Sequence, residues 1–421
     1  MNILWIVNNV LPELSEVTGL PGSASGSWLI DVSQKLSQRD DINLAIAAVG
    51  GNEFKKVNIG NITYYLLPGN GKNMLFYTRK YEKIWKEINE DFKPDIVHLH
   101  GTEYSHGLSF LRANPEVLSV VSVQGIITKI KDVFFDGMPK WSALKYRTMR
   151  ENLRFNGSYE TYLLYKKNSK YEQEIFKRVK YANTVNTWDT SLAREYNPEI
   201  KCFHIEYNLR DSFYASDKWN VSEINRHQIF TNPCPYAIKG THMLLKAVAL
   251  LKCRYPDISV VIPSKGDGNG NIQIINGYTK YINELIRKLD IVGNVRFVGM
   301  LNESEMLGNM KKSHAVVVPS AIEGTSLVLR EAMYLGVPCV ASFRGGMADF
   351  IKDKESGFLY DFSECSYLAD RLDKIFSDDE LAKEFSKNAI TQAKNAHDRE
   401  KNVNNYIEMY NYIYSKGDID E

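Results

Sequence analysis

The sequence predicts an α/β protein built as two doubly wound, Rossmann-like domains. Three observations point there. At 421 residues the chain is too long for one ordinary core. Short β-branched runs alternate with longer amphipathic segments, the pattern of parallel sheets covered by helices. That alternation restarts after Asn208.

In the first half, ILWIV (Ile3–Val7), NLAIAAV (Asn43–Val49), DIVHL (Asp95–Leu99) and LSVVSV (Leu118–Val123) read as strands. Ser25–Arg39 and Met74–Asp91 have helical spacing between them. After the restart, Gln228–Thr231, Ser259–Ser264, Val295–Gly299, Ala315–Ser320 and Cys339–Ser342 are strand-like, with helices expected over Thr241–Arg254, Tyr278–Asp290 and Ser326–Gly336. The expected division is a first domain at 1–206, a second at 207–400, and a helix at 401–421 that packs back on the first domain.

Composition excludes several classes. With 44% hydrophobic and 24% charged residues and a formal net charge of +1, the chain is globular and not a dedicated nucleic-acid binder. Cys202, Cys234, Cys253, Cys339 and Cys365 show no CxxC spacing, and five cannot all pair within one chain, so a reducing cytoplasm is the expected setting. MNILWIVNNVLPEL lacks a basic flank and a small-residue cleavage site and reads as a strand, not a leader. No apolar run approaches the roughly 20 residues of a spanning helix, so any membrane contact would be peripheral.

One segment departs from the average. Residues 129–180 hold 13 Lys/Arg against 6 Asp/Glu, interleaved with Phe134, Phe135, Trp141, Tyr146, Phe155, Tyr159, Tyr162 and Tyr165. Basic and aromatic residues together suit anionic headgroups at the inner face of a membrane, or a lipid-linked diphosphate. A solvated helical pair with aromatic core contacts explains the same composition.

The chemistry concentrates in SAIEGTSLVLREAMYLGVP, Ser320 to Pro338. AVVVPS reads as a buried strand, EGTS as a tight turn, and SLVLREAMYLG as a helix whose first amides have no intrahelical partners. Such a terminus suits phosphate. Gly324 lets backbone approach a ligand, and Thr325 and Ser326 add hydroxyls. Glu331 repels phosphate but matches the vicinal hydroxyls of a ribose, and Glu323 would face another hydroxylated group. Phosphate flanked by two polyols describes a nucleotide-sugar.

With Glu323 and Glu331 set eight positions apart, PSAIEGTSLVLREAMYLGVPCVAS resembles the signature of glycosyltransferase family 4, retaining enzymes of the GT-B fold. The likeness implies that Glu331 binds the donor ribose, that Glu323 lies near the donor sugar, and that the amides after Glu323 hold the diphosphate. Gly345 and Gly346 in SFRGGMADFI resemble the family's second loop at the cleft. Lys239-Gly240 in IFTNPCPYAIKGTHM stands where the family places a diphosphate-binding lysine. The arginine usual five residues earlier is replaced by Cys234, so Lys239 is expected to work with Arg344 or Arg330, or binding rests more on amides.

In the first half, PGSASGSWLIDVSQKL carries Gly22, Ser23, Ser25, Gly26 and Ser27 before a helix, and Gly26 resembles the second glycine of the family's GG pair beside the donor phosphate. HLHGTEYSH supplies His98, His100, Glu103 and His106, with no defined third ligand for a metal. His100 and Glu103 are expected at the carboxyl end of the sheet, with Glu103 toward the acceptor. Where the family carries a histidine, this chain has Gln124 and then Gly125; glutamine bonds a sugar but is no general base near neutrality. Asp189 and Arg210, in the stretch resembling the interdomain crossover, are charges placed near the cleft.

The resulting expectation is a metal-independent hexosyltransferase without a cofactor. It would use a nucleotide-diphosphate sugar, of the UDP or GDP type, and a saccharide or lipid-linked saccharide as acceptor, in cell-surface polysaccharide biosynthesis. A sugar-nucleotide epimerase of the same fold and an inactive nucleotide-sugar-binding protein are the alternatives.

Overall fold

The computed structural model describes residues 1–20, 26–70, 74–139, 141–268 and 270–417, without the side chain of Ser27. Gly22, Ser23 and Ser25 lie outside the described residues. The chain forms two compact units. One comprises Met1–Thr128, Leu164–Asn208 and the chain from His397 onward; the other comprises Lys129–Leu163 and Leu209–Ala396.

The first unit is organised by an eight-stranded sheet of β1 (Asn2–Val7), β2 (Asn43–Val49), β3 (Lys55–Ile59), β4 (Ile62–Leu67), β5 (Ile96–His100), β6 (Leu118–Ser122), β7 (Tyr181–Thr184) and β8 (Lys201–His204). The order is β3-β4-β2-β1-β5-β6-β7-β8, parallel throughout except for the β3/β4 pair. Side chains alternate across a strand, so Ile3, Trp5 and Val7 enter one core while Leu4 and Ile6 enter the other. Both faces are covered, which is why these strands read as unbroken apolar runs.

The helix Arg399–Gly417 covers the face of Trp5 with Val403, Tyr406, Met409, Tyr410 and Ile413. Trp5 Nε1 donates to Tyr410 Oη at 2.9 Å. The carboxy-terminal helix thus lies on the first sheet, as expected.

The second unit has six parallel strands: β9 (Asn225–Thr231), β10 (Ser259–Ile262), β11 (Val295–Phe297), β12 (Ser313–Val318), β13 (Cys339–Ser342) and β14 (Phe358–Tyr360). Their order is β11-β10-β9-β12-β13-β14. The chain steps from β9 to one side and later resumes on the other, so the order reverses between β9 and β12. Open α/β sheets bind ligands outside the carboxyl ends of their strands at such a reversal.

One boundary differs from the expectation. Residues 129–163, placed by sequence in the first domain, belong to the second unit. The reason is specific bonding: Glu151 Oε1 accepts from Gly277 N at 3.1 Å, Tyr146 meets Tyr281 edge-on at 5.3 Å, and His242 Nε2 donates to the Asp136 carbonyl at 3.1 Å. Phe134 and Tyr146 are core residues there, each 5% exposed. The first unit also resumes at His397, a few residues before the predicted final helix.

Candidate active site

Three loops follow β9, β12 and β13, and backbone contacts lock them together. After β9, Gly240 adopts φ +68, and a Cβ there would stand 1.7 Å from the Pro319 carbonyl oxygen. Only glycine permits that approach. Ala321 N donates to Ile238 O at 2.8 Å, and Ser342 Oγ to Ser320 O at 2.5 Å. Gly345, also at φ +68, lies so close that a Cβ would be 2.2 Å from the Glu323 carbonyl oxygen, and Gly346 N donates to that oxygen at 2.9 Å. Lys239, Glu323, Gly324, Gly345 and Gly346 are therefore neighbours at the strand ends.

Each glutamate of the motif is held by a cation. Lys239 Nζ lies 3.0 Å from Glu323 Oε2. Glu331, 3% exposed on the helix Leu327–Leu335, receives a two-pronged contact from Arg210: Nε to Oε1 at 2.8 Å and Nη2 to Oε2 at 2.7 Å. Burial pushes the Glu331 carboxyl upward, and the Arg210 guanidinium opposes that push. Ser326 begins the helix, its hydroxyl accepting from Leu329 N at 3.3 Å, so this oxygen is a cap as well as a candidate ligand. Thr325 Oγ1 is buried without a hydrogen-bond partner.

The cations expected to replace the missing arginine have partners of their own. Arg330 is 2% exposed, its guanidinium carbon 3.8 Å from the centre of the Phe350 ring. Arg344 sits 3.6 Å from Asp136. Cys234 is fully buried, its N–H donating to Ser264 Oγ at 3.2 Å, and burial pushes its thiol up to about 12. A packed neutral thiol cannot serve a diphosphate.

In the first unit, Gly26, His100 and Gln124 line one small cleft with Asn8 and Trp28. Gly26, at φ 96, is the residue from which the helix Ser27–Ser37 starts. His100 closes β5 and is 1% exposed; its ring stacks on His98 at 4.0 Å and neither nitrogen has a partner. Burial pushes it down to about 3. His98 is bonded on both sides, to Tyr410 Oη and Ser122 Oγ at 2.7 Å each.

Glu103 fits between two glycines. A Cβ on Gly101 would be 2.3 Å from its Oε2, and one on Gly125 2.8 Å from its Oε1. Asn8 Nδ2 donates to Oε2 at 3.3 Å. Burial, reinforced by the charge of Glu172, pushes the Glu103 carboxyl up to about 7.

Glu172 is a residue that sequence reasoning did not single out. Fully buried, it accepts from Thr102 Oγ1 (2.8 Å), Ile127 N (3.1 Å) and Thr128 N (2.7 Å), fastening the loops after β5 and β6 to each other. Its one signal was a glutamate among the apolar positions of a helix. Asp189 takes part in a cap, with Asn186 Nδ2 donating to it at 2.8 Å.

Residues 235–392, which carry Lys239, Glu323, Gly324, Glu331, Gly345 and Gly346, match the family model of glycosyl transferases group 1. Particular relatives are similar over part of the chain. The D-inositol 3-phosphate glycosyltransferase of Corynebacterium urealyticum is 35% identical over 145 residues, 34% of this chain and 33% of that protein. The uncharacterized glycosyltransferase YqgM of Bacillus subtilis is 26% identical over 47% of this chain and 52% of its own. The matches thus span a third to about half the length of these relatives.

Solved structures share the fold over nearly the whole chain. Sucrose-phosphate synthase from Thermosynechococcus elongatus superposes with a TM-score of 0.71 at 14% identity, covering 99% of each chain. Anabaena Alr3699/HepE, solved in complex with UDP and glucose, gives 0.66 at 16% identity, covering 98% of this chain and 100% of that one. The fold is GT-B.

Proposed function

We propose that the protein is a retaining glycosyltransferase of family 4 that moves a sugar from a nucleotide-diphosphate sugar to a saccharide or lipid-linked saccharide hydroxyl. The observation that carries this reading is the locked cluster of Lys239, Glu323 and the two glycine loops at the strand reversal, with Glu331 one and a half turns into the adjoining helix. The match to glycosyl transferases group 1 supports it.

In this reading the diphosphate draws Lys239 away from Glu323, and the carboxylate turns to the sugar hydroxyls. Amides at Gly324, Thr325 and Ser326 and the ammonium of Lys239 offset charge as the bond from the anomeric carbon to the diphosphate breaks. The acceptor oxygen bonds that carbon on the same face, and the leaving diphosphate takes its proton. No metal or further cofactor is needed for that balance. In the first unit, His100, Glu103 and Gln124 are the residues proposed to serve the acceptor, and Gly26 is the glycine that the family likeness assigns to phosphate.

Thermal shift against UDP-, GDP- and ADP-sugars tests this directly. One donor should raise the melting temperature of the wild type, and Glu331→Ala should abolish most of that rise. Tight donor binding with neither nucleoside diphosphate release nor a new glycoside would sink the transferase claim.

The exposed surface of residues 141–155, in the second unit, is proposed to meet the anionic inner face of a membrane, in cell-surface polysaccharide assembly. Among the described residues no helix is long and apolar enough to cross a bilayer. Instead Trp141, Leu144, Met149, Leu153 and Phe155 are all exposed, Met149 at 82% and Leu153 at 79%. Exposed Lys145, Arg150 and Arg154 stand among them, the pairing that binds anionic interfaces. Co-sedimentation with vesicles containing phosphatidylglycerol should fall severalfold in Leu153→Ser/Phe155→Ser and in Arg150→Glu/Arg154→Glu. Undiminished binding by both variants would remove this surface from the reading.

A further inference from the structure

We infer that Arg210 is a nucleotide-responsive ligand: it occupies Glu331 until the hydroxyls of a ribose arrive, and then pairs with the diphosphate. The inference rests on the proposed role of Glu331 as ribose partner.

The two partners differ in how firmly each is held. Glu331 is 3% exposed and belongs to a nine-residue helix, so it cannot leave its place. A carboxylate buried there without a donor would be strongly destabilised. An empty site therefore needs a substitute for the ligand's hydroxyls. The Nε and Nη2 groups of Arg210 present two donors side by side, as a vicinal diol does, so exchanging one for the other keeps both carboxylate oxygens bonded.

Arg210 is the more exposed of the two partners. Its side chain is 22% exposed and extends from the residue preceding the short helix Asp211–Ala215, with the guanidinium 4.8 Å from the Phe213 ring centre. Once the diol holds Glu331, the guanidinium has lost its partner and needs another anion. From Ser326 to Glu331 is five residues, about 7.5 Å along a helix axis, which is the scale on which a nucleotide joins its ribose to its phosphates.

Charge accounting points the same way. Cys234 leaves the phosphate without the cation implied at that position, Arg330 is packed on Phe350, and Arg344 lies beside Asp136. Lys239 and Arg210 are the two cations whose anionic partners in the second unit are the very glutamates that the donor's hydroxyls would claim. Binding of ribose thus releases the positive charge that the adjoining phosphates require.

The test is calorimetry on the full chain with UDP, GDP and ADP, each beside its parent nucleoside. For the diphosphate that binds the wild type, Arg210→Ala should weaken binding by about tenfold or more and flatten its dependence on salt, while the nucleoside binds equally well or better. Arg210→Lys loses the fork to Glu331 but keeps the charge, so it should retain the diphosphate within a few-fold and tighten the nucleoside. If Arg210→Ala fails to fold, Arg210→Ala/Glu331→Gln removes the unpaired carboxylate and should still lose the preference for diphosphate over nucleoside. Folded variants that lose diphosphate and nucleoside by one common factor, or that lose neither, overturn the inference. A wild type that binds none of the six probes overturns the nucleotide-sugar reading and this inference with it.

Discussion

At Gly240 and Gly345 the backbone takes a left-handed conformation at φ +68, and each sits where a methyl group would overlap a neighbouring carbonyl. Gly345→Ala should push the loop away from Glu323 at a cost on the order of 1–3 kcal/mol, seen as a lowered melting temperature together with loss of stabilisation by donor. Gly345 was legible as a loop glycine, Gly240 only as the neighbour of Lys239, and Lys239 and Glu323 as functional groups. Their mutual ion pair was not, because partners 84 positions apart meet only once the sheet exists. The same holds for Arg210 and Glu331, and the structure makes Arg210 a partner of the motif where sequence placed it only near the cleft.

Glu103 gives a pH prediction at the same scale. Its folded-state value near 7 is above the ordinary 4.5. The stability it contributes is therefore complete below about 4.5 and lost as pH rises through about 7. Glu103→Gln should lose less stability than the wild type as pH rises from about 4.5 to about 7, read from urea midpoints across that range. Identical profiles for the two proteins would show that the carboxyl is not held protonated.

Among the elements, the helix Leu327–Leu335 depends on its cap. Ser326→Ala should cost about 1 kcal/mol, measurable by denaturant titration, and Ser326→Asn should recover most of it. Five strands of the second unit were legible because burial on both faces leaves runs such as AVVVP unbroken by polar residues, while the three-residue β14 was not. The hairpin of β3 and β4 escaped notice, as did the short β7. KKVNI is largely exposed at a sheet edge, so it lacks the apolar run that marked the strands read from sequence. Residues 129–163 show a different limit: composition revealed their charge and aromatic content, but which core receives them depends on Glu151, Tyr146 and Asp136 finding partners more than 100 residues away.

For the whole molecule, five of the eight histidines are held neutral by burial. His100 and His242 are pushed down to about 3, His106 and His314 to about 4, and His98 well below its usual value. Below about 6.5 the unfolded chain takes up protons that these rings refuse, so stability falls as pH drops from about 6.5 toward 4. The urea midpoint should decline steeply over that window. A midpoint unchanged between pH 7 and 5 would contradict the neutral histidines.

The helix Arg399–Gly417 covers the face that carries Trp5, His98 and Tyr181. Trp5 waits for Tyr410, 405 positions later in the chain. During synthesis the second unit is therefore complete while one side of the older sheet still lies open, so the half of the protein made first is the half that finishes last. A chaperone or protease that meets the nascent chain would find its apolar target on the amino-terminal sheet, and that target disappears only once the helix Arg399–Gly417 has emerged from the ribosome and docked.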